Sequence, residues 1–241
     1  MIQVRTAVVL AGGAGLRLRP LTNDKPKAMV EVLGKPLLQW ILEWLKNNKI
    51  EHVVIGIAYK KESIMDHFGD GSDFGLKIDY SAHSVEGETG EGFRLAISRF
   101  VDDDTFLALN GDMLTDLDLH GMVAFHSSHK SVATIAVSPL KSPYGVIDIA
   151  NNNDVLNFEE KPVIDSVLIN AGIYIFDQQI VDYLPEKGSL EKVTFPKLAS
   201  KRLLKAYPVN SFWLTIDSIK DLETAELELI RLGREMKVWQ T

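Results

Sequence analysis

Three glycines stand within four positions after the first apolar strand, in the run Leu10-Ala11-Gly12-Gly13-Ala14-Gly15. Because glycine has no Cβ, successive backbone N–H groups in such a run can approach and converge on phosphate oxygens. Arg17 and Lys27 follow the run and add full positive charges to it. The pattern predicts a phosphate cradle, with a tight structural turn as the alternative.

Two commoner phosphate-binding motifs do not match this run. A P-loop ends in Gly-Lys-Ser/Thr, whereas Gly15 is followed by leucine and arginine. The dinucleotide fingerprint requires glycine or alanine where Leu18 stands, and an acidic residue at the end of the second strand, where the sequence has Ala58. The cradle is therefore of another kind.

Two aspartates are placed to act beside this cradle. Asp112 follows an apolar strand and the turn Asn110-Gly111, and Asp217 directly precedes the last predicted helix. The carboxyl ends of parallel strands meet at one edge of a sheet, so Asp112 is predicted to lie at the same edge as the cradle. A turn aspartate and a helix N-cap remain the respective alternatives.

The elements that must position these residues follow from apolar periodicity. Within residues 1–118 the pattern alternates as βαβαβαβ, with strands predicted at 8–10, 52–58, 76–80 and 106–109 and helices at 36–45, 62–68 and 91–100. A polar loop is predicted over 81–90. This alternation is typical of a parallel sheet with right-handed crossovers.

The second half, residues 119–241, is richer in strands. Strands are predicted near 132–137, 145–149, 155–160, 168–176, 204–209 and 212–216. Helices are predicted at 119–128, 179–183, 195–201 and 219–236. Ser218 and Asp221 before the last helix have the spacing of a capping box. We expect one domain over residues 1–241 with a cleft between its halves.

Composition limits the classes of function. The chain has 241 residues, is 46% hydrophobic and carries a net charge of −7, which disfavours nucleic acid or an anionic membrane as its main partner. It contains no cysteine, so thiol nucleophiles, disulfides and thiolate metal sites are excluded. No signal-peptide core and no apolar run near the roughly 18 residues of a spanning helix is present, so a cytoplasmic protein is expected.

Four segments together resemble the signature of the sugar-phosphate nucleotidylyltransferases. These segments are 10–18, 20–22, 25–27 and 34–36, and the main departure is Leu16 where threonine is usual. The resemblance implies an α/β fold: a Rossmann-like three-layer sandwich with a mixed, mostly parallel central sheet and a strand-rich, sugar-binding half. It spans the chain from Val8 to about Glu226.

The resemblance also implies roles for individual residues. Those implied for catalysis are Arg17, Lys27, Asp112 and Asp217, with both aspartates binding Mg²⁺, which prefers oxygen ligands. Those implied for the nucleotide are Leu10, Ala11, Gly12, Gly13, Gly15, Arg17, Thr89, Gly90, Asn110 and Gly111. Those implied for the sugar phosphate are Gly145, Glu160, Lys161, Asn170 and Gly172.

The implied reaction is attack by a sugar-1-phosphate oxygen on the α-phosphorus of a nucleoside triphosphate, with release of pyrophosphate. A phosphate monoester has a second pKa of about 6, so the nucleophile is ionised at neutral pH and needs no strong base. This agrees with the six histidines, which form no metal-ligand spacing and are interpreted as surface or packing residues. A homodimer is left open.

The resemblance also bears on the base, because thymidylyl- and many uridylyl-type members of that family place a glutamine near the pyrimidine in the loop before their glycine pair. Residues 80–92 contain no glutamine, which argues against dTTP. Glu86, Glu88 and Glu91 offer carboxylates that can accept from guanine, which favours GTP. The chain also resembles short mannose- and heptose-1-phosphate guanylyltransferases, which implies a mannose- or heptose-type sugar. Segments 69–75 and 88–90 instead resemble short N-acetylmuramate-1-phosphate uridylyltransferases, so UTP is the alternative. A cytidylyltransferase for a phospho-alcohol and a non-catalytic nucleotide-sugar-binding regulator are the rival functions.

Overall fold

The computed structural model of the protein describes residues 3–235. In this range the strands are β1 (Thr6–Leu10), β2 (Glu31–Val32), β3 (Lys35–Pro36), β4 (His52–Ile57), β5 (Lys77–Ala82), β6 (Thr105–Asn110), β7 (Met113–Thr115), β8 (Ala133–Lys141), β9 (Val146–Ile149), β10 (Val155–Glu159), β11 (Val163–Asp177), β12 (Leu204–Pro208) and β13 (Trp213–Thr215). The α-helices are α1 (Leu37–Asn47), α2 (Glu62–Phe68), α3 (Glu88–Phe100), α4 (Leu119–Ser127), α5 (Phe195–Ser200) and α6 (Ile219–Glu235).

A seven-stranded sheet runs in the order β12-β8-β11-β6-β1-β4-β5. Strands β6, β1, β4 and β5 are parallel, and β12 is parallel to β8. Strand β11 is antiparallel to both of its neighbours, β6 and β8. The predicted mixed, mostly parallel sheet is confirmed. Both halves of the chain contribute strands to it, and the division at residue 118 stays a prediction.

Helices cover both faces of this sheet because its central strands are apolar on both sides. On one face, Val9 of β1 packs in the same core cluster as Leu38 of α1 and Ile64 of α2. On the other, Val8 belongs to a cluster with Phe93 of α3 and Leu198 of α5. Successive strand residues point to opposite faces, so one cluster lies between each face of the sheet and the helices that cover it, which gives three layers. The predicted three-layer sandwich is confirmed.

The prediction of a loop over 81–90 was wrong at both ends. Strand β5 continues to Ala82, and α3 begins at Glu88 rather than at Glu91. Contacts distant in sequence hold the first turn of α3: the Gly90 N–H donates to the Gly188 carbonyl at 2.9 Å, and the Thr89 hydroxyl donates to Glu191 at 2.7 Å. A local polar pattern carries no information about such contacts.

The capping box before α6 is confirmed. The Ser218 N–H and hydroxyl donate to Asp221 Oδ2 at 2.8 and 2.9 Å, and the Ser218 oxygen accepts from the Asp221 N–H at 3.3 Å. The helix is described to Glu235, and the predicted last residue, Met236, lies outside the described residues. None of the helices within 3–235 combines the length and apolar character of a membrane-spanning segment.

Candidate active site

The glycine-rich run forms a loop with free N–H groups between β1 and the residues that follow. Within residues 3–235, the backbone N–H groups of residues 12–14 donate no hydrogen bond. The carbonyls of the loop are used instead: Gly13 accepts from the Lys27 N–H at 3.1 Å, and Gly15 accepts from the Thr22 hydroxyl at 2.8 Å. The loop therefore presents consecutive donors, as an anion-binding nest does.

Two positions in this loop require glycine. A Cβ on Gly12 would lie 2.8 Å from His83 Nε2 and 2.9 Å from Ala58 Cβ. Gly15 has φ +58°, and a Cβ there would lie 2.9 Å from Lys27 Cβ. The backbone thus passes close to His83 and Lys27 because side chains are absent at these positions.

A matched pair of substitutions tests this close approach. Gly12→Ala is expected to lower the free energy of unfolding by about 1 to 3 kcal/mol, because the added methyl group overpacks the contact with His83. Gly13→Ala is the control, since a Cβ on Gly13 has nothing within 4 Å. Urea unfolding of both variants measures the difference. Equal stability of the two variants would contradict the close packing of Gly12 against His83.

A cavity of about 370 Å³ lies above this loop, at the carboxyl ends of β1 and β6. The residues that line it include seven of those predicted for the nucleotide, namely Leu10, Ala11, Gly12, Gly13, Thr89, Asn110 and Gly111. Lys27 and Asp112 line it as well. Gly90 instead packs away from it, since a Cβ there would lie 2.4 Å from the Gly188 carbonyl.

Pairing of β7 with β13 brings the two aspartates together. Met113 lies opposite Thr215, and the Ile216 N–H donates to the Asp112 carbonyl at 2.9 Å. As a result, Asp112 and Asp217 stand side by side at the end of this two-stranded sheet, next to the cradle. The sequence did not predict β7.

Lys27 lies between these two carboxylates. Its Nζ donates to Asp112 Oδ2 at 2.9 Å and to Asp217 Oδ1 at 2.7 Å. The Arg17 guanidinium contacts the same Asp217 oxygen at 2.9 Å. The four residues predicted for catalysis therefore form one cluster at the edge of the cavity, in which the Lys27 side chain is only 10% exposed.

Asp221 fixes the backbone that carries Asp217. Its Oδ2 accepts from the Asp217 N–H at 3.1 Å in addition to its two bonds from Ser218. Ser218, and not Asp217, supplies the capping oxygen of α6, which leaves the Asp217 carboxylate available to Lys27 and Arg17. Asp221 is thus a positioning residue that the sequence identified only as a cap.

Comparison with known proteins identifies the family of this chain. The family model described as "Nucleotidyl transferase" matches residues 6–231. The chain belongs to the nucleotidyl transferase family. A Synechocystis UTP–glucose-1-phosphate uridylyltransferase is 36% identical over 96% of the chain, and a Mycobacterium tuberculosis mannose-1-phosphate guanylyltransferase is 34% identical over 93%. The chain spans 64% of the length of each of these relatives.

Solved structures of this family share the fold over almost the whole chain. HddC from Yersinia pseudotuberculosis is 27% identical, with a TM-score of 0.74, and the alignment covers 94% of this chain and 100% of that one. HddC has also been solved in complex with GMP-PN. The Rossmann-like α/β fold of this chain is thereby confirmed.

The residues predicted for the sugar phosphate fall into two groups in the structure. In the first, the Asn170 amide donates to the Tyr174 hydroxyl at 2.9 Å and accepts from the Gly172 N–H at 2.8 Å. Gly172 has φ +73°, and a Cβ there would lie 3.0 Å from Asn110 Nδ2. Burial raises the pKa of Tyr174, so its phenol is protonated at neutral pH. This group adjoins the 370 Å³ cavity through Asn110.

The second group lies on the β9–β10 hairpin and its continuation. A Cβ on Gly145 would lie 3.0 Å from Glu160 Oε2, and Lys161 Nζ lies 3.2 Å from Glu160 Oε1. Both charged side chains are about half exposed, at 59% for Glu160 and 48% for Lys161. Within residues 3–235, no hydrogen bond or ion pair joins this group to Lys27 or the two aspartates.

His83 is a cavity residue that the sequence interpretation placed among surface or packing histidines. Its Nδ1 donates to the Ser84 carbonyl at 3.0 Å, which leaves Nε2 as an acceptor, and Nε2 is buried without a partner. The ring lies against Gly12 and lines the cavity. No local sequence pattern indicated this position of His83, since the contact joins residues about 70 positions apart.

Proposed function

We propose that this chain transfers a nucleotidyl group from a nucleoside triphosphate to a sugar-1-phosphate and releases pyrophosphate. The observation that carries the proposal is the cluster of Lys27 and Arg17 with Asp112 and Asp217 beside the free N–H groups of the cradle. The names of the relatives, all sugar-1-phosphate nucleotidyltransferases, support it. Residues 1–118 would bind the nucleotide and 119–241 the sugar phosphate.

The cluster fits the chemistry of this reaction, in which two anions must be held in line. The acceptor phosphate is already ionised at neutral pH, since its second pKa is about 6. What remains is to position the reactants and to neutralise charge on the α-phosphate and the departing pyrophosphate. Lys27 and Arg17 would do this for the triphosphate, and Lys161 would hold the sugar phosphate.

The two aspartates fit a divalent metal ion. Members of the family generally depend on one, and the oxygens of Asp112 and Asp217 already converge on a single ammonium nitrogen. Among residues 3–235, no group of three or more His, Cys, Asp or Glu side chains is placed to hold a metal, so water and phosphate would complete the coordination. Such retained waters suit Mg²⁺, which would supply positive charge to the phosphates when bound.

Positioning of Asp217 by Asp221 leads to a test of this assignment. Asp221→Ala is expected to lower kcat by about 10- to 100-fold, as loss of a residue that orients a metal ligand does. The loss should be partly recovered by raising the Mg²⁺ concentration. Asp221→Asn, which keeps one acceptor oxygen, should lose less. An Asp221→Ala enzyme that is impaired equally at all Mg²⁺ concentrations would contradict the positioning role.

For the base, we propose GTP with a mannose- or heptose-type sugar-1-phosphate. The mannose-1-phosphate guanylyltransferase relatives and the GMP-PN complex of HddC support GTP. Of the three predicted glutamates, Glu88 lines the cavity, whereas Glu91 is engaged by the Ser84 hydroxyl at 2.9 Å. Glu88 also has φ 56° and ψ −169°. Residues other than glycine rarely adopt this backbone conformation, and where they do, they cluster at functional sites.

UTP remains the second candidate for the base. The Synechocystis uridylyltransferase is 36% identical over 96% of the chain, and that similarity favours UTP. Pyrophosphate release should be measured with GTP, UTP, dTTP, CTP and ATP against mannose-, heptose-, glucose- and N-acetylmuramate-1-phosphates. We expect kcat/KM to be at least tenfold higher for GTP. A tenfold preference for UTP would overturn the guanylyl assignment.

A cytoplasmic location, a homodimer and the absence of nucleic-acid partners stay predictions from the sequence.

Glu88 provides a more local test of the base. Glu88→Gln is expected to lower kcat/KM for GTP by about 10- to 100-fold, because a hydrogen bond to a charged group contributes about 1.5 to 3 kcal/mol. The value for UTP should change far less, since uracil cannot donate in the same bidentate way. Glu86→Gln is the control, because Glu86 is exposed and outside the cavity lining. If kcat/KM fell equally for GTP and UTP, Glu88 would have no role in recognising the base.

A further inference from the structure

The Lys27 ammonium occupies the point on which the two aspartates converge. Asp112 Oδ2 and Asp217 Oδ1 lie 2.9 and 2.7 Å from Nζ, and the Lys27 side chain is 10% exposed against 36% and 34% for the carboxylates. The backbone of Lys27 is also fixed, because its N–H donates to the Gly13 carbonyl at 3.1 Å. The most buried member of the cluster is therefore a cation held between two anions.

The charges in this cluster balance without any metal. Arg17 contacts Asp217 Oδ1 at 2.9 Å, so two cations face two carboxylates. A divalent ion that approached would meet the ammonium at the place where its own ligands point, and like charges at such short range repel strongly when they are partly removed from water. While Nζ stays in place, it occupies Asp112 Oδ2 and Asp217 Oδ1, the two carboxylate oxygens that converge on it.

Lys27 also lines the nucleotide cavity, so a second acceptor would be within its reach. We propose that Lys27 acts as an internal cation that closes the metal site until a triphosphate draws its ammonium away, so that metal and nucleotide bind as a coupled pair. The identity of the triphosphate rests on the proposed function. Coupling of this kind is reciprocal: nucleotide raises the affinity for metal by the same factor as metal raises that for nucleotide.

Removal of the Lys27 charge should then have opposite effects on the two ligands. Lys27→Met keeps a long unbranched side chain but leaves Asp112 and Asp217 without the cation between them. The variant should bind Mn²⁺ at least tenfold more tightly than the natural protein when no nucleotide is present. It should bind GTP or UTP in EDTA at least tenfold more weakly, because the phosphate partner is lost.

The experiment is a titration of the full chain with Mn²⁺, in which the electron paramagnetic resonance signal of free Mn²⁺ is followed. Lys27→Arg keeps the charge and should bind Mn²⁺ as weakly as the natural protein. The double variant Lys27→Met/Asp112→Asn should lose the gain. Equal Mn²⁺ affinity of the natural protein and Lys27→Met would overturn the proposal, as would tight binding by Lys27→Arg.

A role in stability alone would give a different result. A merely destabilising substitution weakens both ligands, whereas the proposal requires a gain for one and a loss for the other. Circular dichroism checks that the fold is intact, and Lys27→Gln replaces Lys27→Met if the latter does not fold. The Mn²⁺ titration needs no turnover. Absence of pyrophosphate release with every substrate would therefore overturn the proposed function and leave this inference standing.

Discussion

Asp112→Asn should reduce turnover by at least about 10²- to 10³-fold, the loss that is typical when one charge-stabilising group is removed from a site of this kind. The amide cannot supply the negative charge that a divalent ion requires, and it leaves Asp217 as the only carboxylate facing Lys27 in the described cluster. Steady-state pyrophosphate release at saturating Mg²⁺ measures the effect.

The fold should tolerate this change. Asp112 is 36% exposed, and the Lys27 side chain, at 10% exposed, keeps its ion pair with Asp217, so the loss of stability should stay within about 1 to 3 kcal/mol. Asp102→Asn is a suitable control, because Asp102 is an exposed residue before β6 and away from the cluster. Turnover by Asp112→Asn equal to that of the natural protein would show that the metal assignment is wrong.

Arg17→Ala should lower kcat by a similar factor, about 10²- to 10³-fold, with little change in the KM for the sugar phosphate. The Arg17 side chain is 74% exposed and contacts the cluster only through Asp217 within the described residues, so its loss should barely affect stability. A guanidinium so exposed, yet in contact with a carboxylate that we propose binds the metal, would be available to the phosphates of a bound triphosphate.

Arg19→Ala is the matched control for this prediction. Arg19 carries the same charge, is exposed and lies two positions further along the chain. If both variants lost activity equally, the effect would come from the general positive potential of the loop. If Arg17→Ala chiefly raised the KM for the sugar phosphate, Arg17 would serve the acceptor instead of the triphosphate.

The sequence predicted the elements whose determinants are local. Strand β4 was predicted because a run of β-branched, apolar residues is typical of a strand buried on both faces. Helix α2 was predicted with its exact bounds, and the glycines that follow it marked its end. The cradle was predicted because glycine spacing fixes what a backbone can do before any tertiary contact forms. These features need no knowledge of distant parts of the chain.

Elements that depend on distant contacts were missed. Strand β7 has three residues, too few for a recognisable pattern, and exists because Met113 pairs with Thr215 about 100 positions away. The same holds for the start of α3, which Gly188 and Glu191 stabilise, and for the contact of His83 with Gly12. Lys27 was predicted beside the phosphates, but its place between the two carboxylates follows only from the β7–β13 pairing.

The most direct test of the central proposal is to follow the phosphorus atoms of one reaction mixture. The full chain is incubated with Mg²⁺, GTP and mannose-1-phosphate or heptose-1-phosphate, and the products are observed by ³¹P nuclear magnetic resonance. Nucleotidyl transfer predicts pyrophosphate together with a sugar-linked diphosphate in equal amounts. Release of GDP and phosphate, or no change with any of the five triphosphates and four sugar phosphates, would contradict it.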